Sequence, residues 1–388
     1  MTNVPDENSL KGTFQLQTPI KVALVHDWLV GNGGGERVLY DFHQLFPNAP
    51  IYTLVYDERK APNWTKTCDI RTTYIQKWPG AKSHHKLLLS FMPKAWESLD
   101  LNEYDLVLSS CSSCCKGIIT GPEAIHICSC HSPIRYVWDL YFEYLKSSGF
   151  LKQRIMRFLI HKVRMWDYLA AQRPDYFIAN SNFVNNRIRK YYRRSATTIY
   201  PATAGANNDR SCLSCGGEYY LVVSRFVDYK RIDLTIEACN RLQRKLIIVG
   251  SGGEAESRLR NSAGSTIEFR GSVDDKELKD LYIHAKAFLF PGLEDFGLTP
   301  IEAMSYGIPV IAYGRGGALE TVRNGVTGLH FFDQTADALA DCMLEFENKE
   351  SQFNREQIFD WSQRFSSSRF RREIASFIGR ALEEGQNA

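Results

Sequence analysis

The fold class this sequence predicts is α/β, with two doubly wound, Rossmann-like domains facing a central cleft. Three observations carry it. Short apolar runs rich in β-branched residues recur along the chain, and stretches of helical periodicity separate them. The alternation breaks once, near 201–217, and then restarts. The length of 388 residues suits two domains at about 150 residues each.

The elements follow in order. Residues 1–19 read as a polar tail. The run 20–26 (IKVALVH) reads as a buried parallel strand. It leads into Gly31, Gly33, Gly34 and Gly35, after which Val38, Leu39, Phe42 and Leu45 recur at helical spacing. Further strands are expected at 49–55, 105–108, 124–128 and 176–179, completing a first domain over 20–200. The segment 201–217, crowded with Ala, Gly, Asn, Ser and Cys, reads as the linker. A second domain over 218–364 has strands at 219–224, 245–250, 266–270, 287–290 and 309–312. Its helices are expected at 232–243, 278–285 and 300–306. A closing helix rich in Arg and Phe, at about 365–388, is assigned to the first domain.

Composition narrows the function classes. Hydrophobic residues at 44% and charged residues at 23% describe an ordinary globular protein, not a disordered one. A net charge of +3 lacks the large basic excess of a dedicated nucleic-acid binder. No apolar run reaches the ~18 residues of a membrane span, and residues 1–20 show no apolar signal core. The expected compartment is the cytoplasm, where the ten cysteines are reduced. Cys111 and Cys114 could pair with Cys128 and Cys130 around a metal, but the second spacing is too tight for a zinc site. Buried thiols in and beside strands are the simpler reading, with Cys212 and Cys215 forming a further C-x-x-C.

The chemistry concentrates in 291–304 (PGLEDFGLTPIEAM). Here an apolar strand meets a glycine-bearing turn and then a helix. Pro300 suits the first helical position and Thr299 its N-cap, which would leave the N–H groups of 297–299 facing an anion such as a phosphate. Thr299-x-x-Glu302 also fits a capping box, so Glu302 has a structural reading besides a binding one. Glu294 precedes the turn.

Glu294, seven residues, then Glu302, with Phe296-Gly297-Leu298 between, resembles the signature of the retaining GT-B glycosyltransferases of family 4. The likeness spans roughly 20–380. It continues in 222–231 (VVSRFVDYKR), in the turns carrying Gly250, Gly252, Gly271 and Val273, and in 307–312 and 325–328. In the first half, 130–139 (CHSPIRYVWD) resembles a block of members acting on GDP-activated sugars, mannosyltransferases among them. The resemblance implies roles. Arg225 and Lys230 would hold the donor diphosphate, and Glu294 would touch the sugar hydroxyls. Glu302 would bind the ribose, and His131 would contact the sugar with its backbone carbonyl near the anomeric carbon. Gly34, Gly35, Gly250, Gly252, Gly271, Val273, Phe296, Gly297, Leu298 and Thr299 would line the donor. Arg135 and Glu36 are candidates for acceptor or sugar contact. A nucleotide sugar would then be the co-substrate, and no cofactor or metal is expected, since cations and helix-end amides can stabilise the departing diphosphate and no Asp-x-Asp motif closes a strand.

A rival reading starts from Gly31-x-Gly33-x-x-Glu36, half of a dinucleotide fingerprint, with Asp57 as a ribose ligand of an NAD-dependent oxidoreductase. A carboxylate in the third glycine position would repel a pyrophosphate. A catalytically silent nucleotide-binding module is the third reading. Finally, three stretches of the first domain mix bases with aromatics: 77–91, 152–166 and 187–194. They suggest docking on an anionic membrane surface and a lipid-linked or saccharide acceptor, with the protein peripheral on the cytoplasmic face.

Overall fold

A computed structural model describes residues 20–146, 150–203, 210–213 and 216–386. The expected tail 1–19 and, within the linker, residues 204–209, 214 and Cys215 lie outside the described residues. The chain forms two compact units, one from residues up to Pro201 together with those from Ser368 onward, the other Ala202–Ser367.

The first unit holds strands β1 (Val22–His26), β2 (Ile51–Thr53), β3 (Ile70–Thr72), β4 (Leu106–Cys111), β5 (Ile125–Cys130), β6 (Tyr176–Ala179) and β7 (Thr197–Thr198). All pair in parallel in the order β3-β2-β1-β4-β5-β6-β7. Chain order therefore reverses between β1 and β4, which makes their carboxyl ends the switch point. Every residue of β1 and β4 is buried, as a parallel sheet covered on both faces requires. The C-terminal helix Ser367–Gln386 belongs to this unit. Phe370 stacks on Phe42, Phe377 meets Tyr176 edge-on, and Arg371 lies 3.6 Å from Asp41.

The second unit holds β8 (Tyr219–Val223), β9 (Leu246–Val249), β10 (Ile267–Gly271), β11 (Ala285–Phe290), β12 (Val310–Tyr313) and β13 (Gly328–Phe331). They form a parallel sheet in the order β10-β9-β8-β11-β12-β13, with its switch point between β8 and β11.

The strand expectations land on observed strands with shifted ends. Two corrections concern length. β4 and β5 run on through Ser109–Cys111 and Cys128–Cys130, because small polar residues can pair in a ladder as well as apolar ones. Asp57, the ribose ligand of the rival reading, lies beyond β2. It sits four residues past the strand, accepts from the N–H of Lys60 and Ala61, and closes a turn.

Candidate active site

At the switch point of the second sheet, the segment after β8 and the segment after β11 lie side by side. The 3₁₀ turn Asp228–Lys230 follows β8, and the helix Ile232–Leu242 follows that turn. Gly292 sits so close to this turn that a Cβ there would lie 3.1 Å from the Lys230 Cα. The approach brings Lys230 Nζ to 2.5 Å from Glu294 Oε1. Both side chains are largely buried, so the two charges neutralise one another where neither is well hydrated. Arg225 is exposed, with a guanidinium nitrogen 3.5 Å from the Tyr229 hydroxyl.

The helix after β11 is Leu298–Met304, and its N-cap is Gly297. This corrects the expected cap at Thr299 and the capping box with Glu302. Gly297 takes φ 91°, a left-handed conformation open to glycine at little cost, so the helix begins directly after it. Pro300 then falls in the third helical position, where its missing N–H is still one of the four without an intrahelical partner. With only seven residues, the helix offers an anion its local N–H groups more than a dipole. Leu298, Thr299 and Glu302 are half-buried there. Phe296 is buried against Phe365 (ring centroids 5.7 Å apart), which leaves its backbone rather than its ring for a ligand.

The neighbouring strand ends complete the edge. Gly250 N–H donates to the Gly271 carbonyl (2.8 Å), and Phe226 N–H donates to that of Gly252 (3.0 Å). The hydroxyls of Ser251 and Ser272 are 2.7 Å apart, and Val273 is half-buried beyond them. One segment escaped the sequence reading. After β12, the loop 314–317 (GRGG) backs the turn that carries Glu294, and Gly317 N–H donates to the Glu294 carbonyl (2.9 Å). Its three glycines in four residues were the available signal.

In the first unit, His131 follows β5. Its Nε2 is 2.8 Å from Ser110 Oγ, its carbonyl accepts from Asn180 Nδ2 (3.0 Å), and its N–H donates to the Cys111 carbonyl (2.8 Å). Burial, and secondarily the neighbouring His26, push its pKa down to about 4, so the imidazole is neutral near pH 7. Gly34 and Gly35 open the helix Gly34–Leu45. Glu36 accepts from the Gly33 N–H (3.0 Å) and so caps that helix. The glycine cluster thus serves a helix start whose amide already holds a carboxylate. Arg135 lies 3.8 Å from Asp139 within its own turn, and Arg187 also pairs with Asp139.

The cysteines are the buried thiols in and beside strands that the sequence suggested. Cys111, Cys114, Cys115, Cys128 and Cys130 are all buried. Among the described residues, the close group of potential metal ligands is Asp27, Cys111 and Cys115. Asp27 is already engaged, however. Its two oxygens accept from the N–H groups of Ser112, Ser113, Cys114 and Cys115 and from the Ser112 hydroxyl, at 2.6–3.1 Å. That carboxylate ties the turn after β4 to the end of β1.

The basic stretches divide. Arg187 is buried, and Arg194 donates to carbonyls of Ala171, Gln172, Pro174 and Asp175, so these two bases are structural, while Arg189, Lys190 and Arg193 are exposed. Trp166 donates to Glu97, and Arg164 to the Val137 carbonyl. By contrast, the helix Phe150–Ala170 exposes Arg154, Arg157, His161 and Lys162 beside Phe158 (60% exposed) and Leu169 (61%). The adjoining turn His85–Phe91 adds Lys86 and Leu87 (79%). No helix among the described residues is long and apolar enough to cross a membrane.

Two family models match the chain: Glycosyltransferase Family 4 over residues 32–203 and Glycosyl transferases group 1 over residues 213–359. The chain is 26% identical to the alpha-1,3/1,6-mannosyltransferase ALG2 of Kluyveromyces lactis, covering 78% of this chain and 71% of that one. It is 32% identical over 140 residues to a GDP-mannose-dependent phosphatidylinositol monomannoside mannosyltransferase of Mycobacterium tuberculosis, 32% of this chain and 36% of that one. Among solved structures, Anabaena Alr3699/HepE in complex with UDP-glucose superposes with a TM-score of 0.69 at 18% identity, covering 92% and 99% of the two chains.

Proposed function

Since the chain belongs to the family 4 glycosyltransferases and has their two-unit GT-B fold, we propose that it is a retaining mannosyltransferase. It moves mannose from GDP-mannose to a lipid-linked or saccharide acceptor, without a metal ion. The observation that carries the reading is the Lys230–Glu294 pair at the switch point of the second sheet. A basic and an acidic group meet where a Rossmann-like sheet takes its ligand. In the donor-free protein they neutralise each other. When the donor enters, its diphosphate competes for Lys230 and a sugar hydroxyl competes for Glu294, so each charge exchanges one partner for another.

The reaction breaks the bond from the anomeric carbon to the diphosphate and forms one to an acceptor oxygen. Negative charge grows on the departing diphosphate. Lys230 and the N–H groups of 297–299 are donors held in place for it, and such donors need no reorganisation as the charge develops. Arg225, exposed and lightly held, is free to swing onto an incoming phosphate with its planar fork. His131, neutral near pH 7, offers the sugar a hydrogen bond and no charge. Mannose and guanine are chosen because the relative that matches across both halves is a mannosyltransferase, and the M. tuberculosis relative uses GDP-mannose. The UDP-glucose of the Anabaena structure comes with a likeness of fold alone. The oxidoreductase reading is not favoured, because Glu36 occupies the amide that a pyrophosphate would need.

The same reading puts the protein at the cytoplasmic face of a membrane, docked reversibly through the cationic and apolar face of 150–170. Anionic headgroups attract such bases at ~1 kcal/mol each, and exposed Phe and Leu insert beside them. A thermal-shift comparison of GDP, UDP and ADP tests the donor. GDP at 100 times its dissociation constant should stabilise the protein by ~2.7 kcal/mol. A larger shift with UDP would reassign the base.

A further inference from the structure

The carboxyl edge of the first sheet carries a connected polar chain around His131, and the roles above use none of its other members. β1 ends at His26 and β4 pairs with it so that His26 stands opposite Ser110. His26 Nδ1 lies 3.1 Å from the Ser110 carbonyl oxygen and 3.2 Å from its hydroxyl. A carbonyl oxygen only accepts, so His26 Nδ1 carries a proton. The Ser110 hydroxyl has two acceptors in reach: His131 Nε2 at 2.8 Å and the Gly35 carbonyl at 3.3 Å. It has one proton to give: donated to Gly35, it leaves His131 Nε2 as the donor to the serine oxygen, and donated along the shorter contact, it makes Nε2 the acceptor. With Nε2 accepting, the proton of neutral His131 sits on Nδ1.

We propose that Ser110 and Asn180 are positioning residues for His131: the Ser110 hydroxyl fixes the ring as the Nδ1–H tautomer, and the Asn180 amide fixes its backbone carbonyl. His131 then presents a donor, suited to a sugar hydroxyl oxygen, from a ring that cannot turn over without losing the serine contact. His26 holds Ser110 in place from the far side. The helix start at Gly35 closes the space around both rings, since a Cβ there would lie 3.1 Å from His26 Cε1 and 3.6 Å from His131 Nε2. Burial keeps the His131 pKa near 4, so at neutral pH the tautomer, not the charge, is the property left to set.

The inference rests on the proposed sugar contact of His131, and the test separates the two. In the full chain, ¹⁵N-labelled histidine reports the tautomer of His131 by NMR whether or not the protein turns over. The wild type should show Nδ1–H, Ser110→Ala should show a mixture, and Ser110→Thr should restore the first pattern. In the transfer assay, Ser110→Ala and Asn180→Asp should each lower kcat about tenfold, the size of one buried hydrogen bond, with donor KM changed less than threefold. Ser110→Thr should recover most of the rate. An Nε2–H tautomer in the wild type, or a tautomer unmoved by Ser110→Ala, overturns the assignment even in an active enzyme. The expected tautomers with kcat unaffected by either variant would remove His131 from the reaction, while leaving the rest of the proposed function standing.

Discussion

Replacing Gly317 by alanine should move the turn that carries Glu294. A Cβ at position 317 would lie 2.3 Å from the Phe296 Cα and 2.4 Å from its carbonyl oxygen, about 1 Å short of ordinary contact. Both obstacles are backbone, so no side-chain rotation relieves the clash. The loop and the turn are also tied by the Gly317–Glu294 hydrogen bond, so separating them shifts Glu294 away from Lys230. A misplacement of ~1 Å at a reacting centre costs about 10²-fold in rate. Overpacking of this kind destabilises by ~1–3 kcal/mol. The assay is turnover of the nucleotide sugar alongside thermal melting. Gly379→Ala is the control, because nothing lies within 4 Å of its Cβ position in the helix Ser367–Gln386. It should leave the rate alone and gain up to ~1 kcal/mol from helix propensity. A Gly317→Ala variant with wild-type rate and melting temperature would refute the claim that this loop sets the position of Glu294.

Glu294→Ala and Lys230→Ala should each lower kcat by ~10²–10³-fold, the usual loss of one preorganised contact, and should also lower the melting temperature, because the remaining charge is left unpaired where it is poorly hydrated. Full activity in either would remove that residue from the mechanism. Stability should fall as the solution is acidified. Burial lowers the pKa of His126 to about 3 and of His131 to about 4, against 6.5 unfolded. The unfolded chain therefore binds protons that the native one refuses, and each histidine's contribution, complete above pH 6.5, is lost by about 1.4 kcal/mol per pH unit below it. Urea midpoints that stay flat from pH 7 to 5 would contradict this. Co-sedimentation with anionic vesicles should be strong at low salt, fall with NaCl, and weaken when Arg154, Arg157 and Lys162 are reversed to Glu. Indifference to vesicles at low salt would make that face merely solvated.

Much of the fold was legible because central parallel strands are continuous apolar runs. The order from β1 to β12 could be read wherever such a run was present. β3 and β7 could not. Ile70–Thr72 and Thr197–Thr198 are edge strands of two or three residues with hardly an apolar pattern. The strand Gly328–Phe331 and the helix Ala336–Lys349 were passed over, the first because its start looked like a turn. In the site, the segment 291–304 announced Glu294 because its residues are contiguous. Its cap was misread because Thr299 and Glu302 satisfy the box spacing, while the decisive fact, the left-handed backbone of Gly297, is conformational. The chain from His26 through Ser110 to His131 and Asn180 was invisible for another reason. Its successive members lie 84, 21 and 49 positions apart, and only parallel register sets them side by side.

The most direct measurement is the product itself. The protein should be incubated with GDP-mannose and a mannose-terminated lipid-linked acceptor in EDTA, and the new linkage read by NMR. The account predicts GDP release matched by an α-mannosyl product, the configuration of the donor retained. Inverted configuration, activity only with added divalent metal, or no transfer from any nucleotide sugar would contradict it.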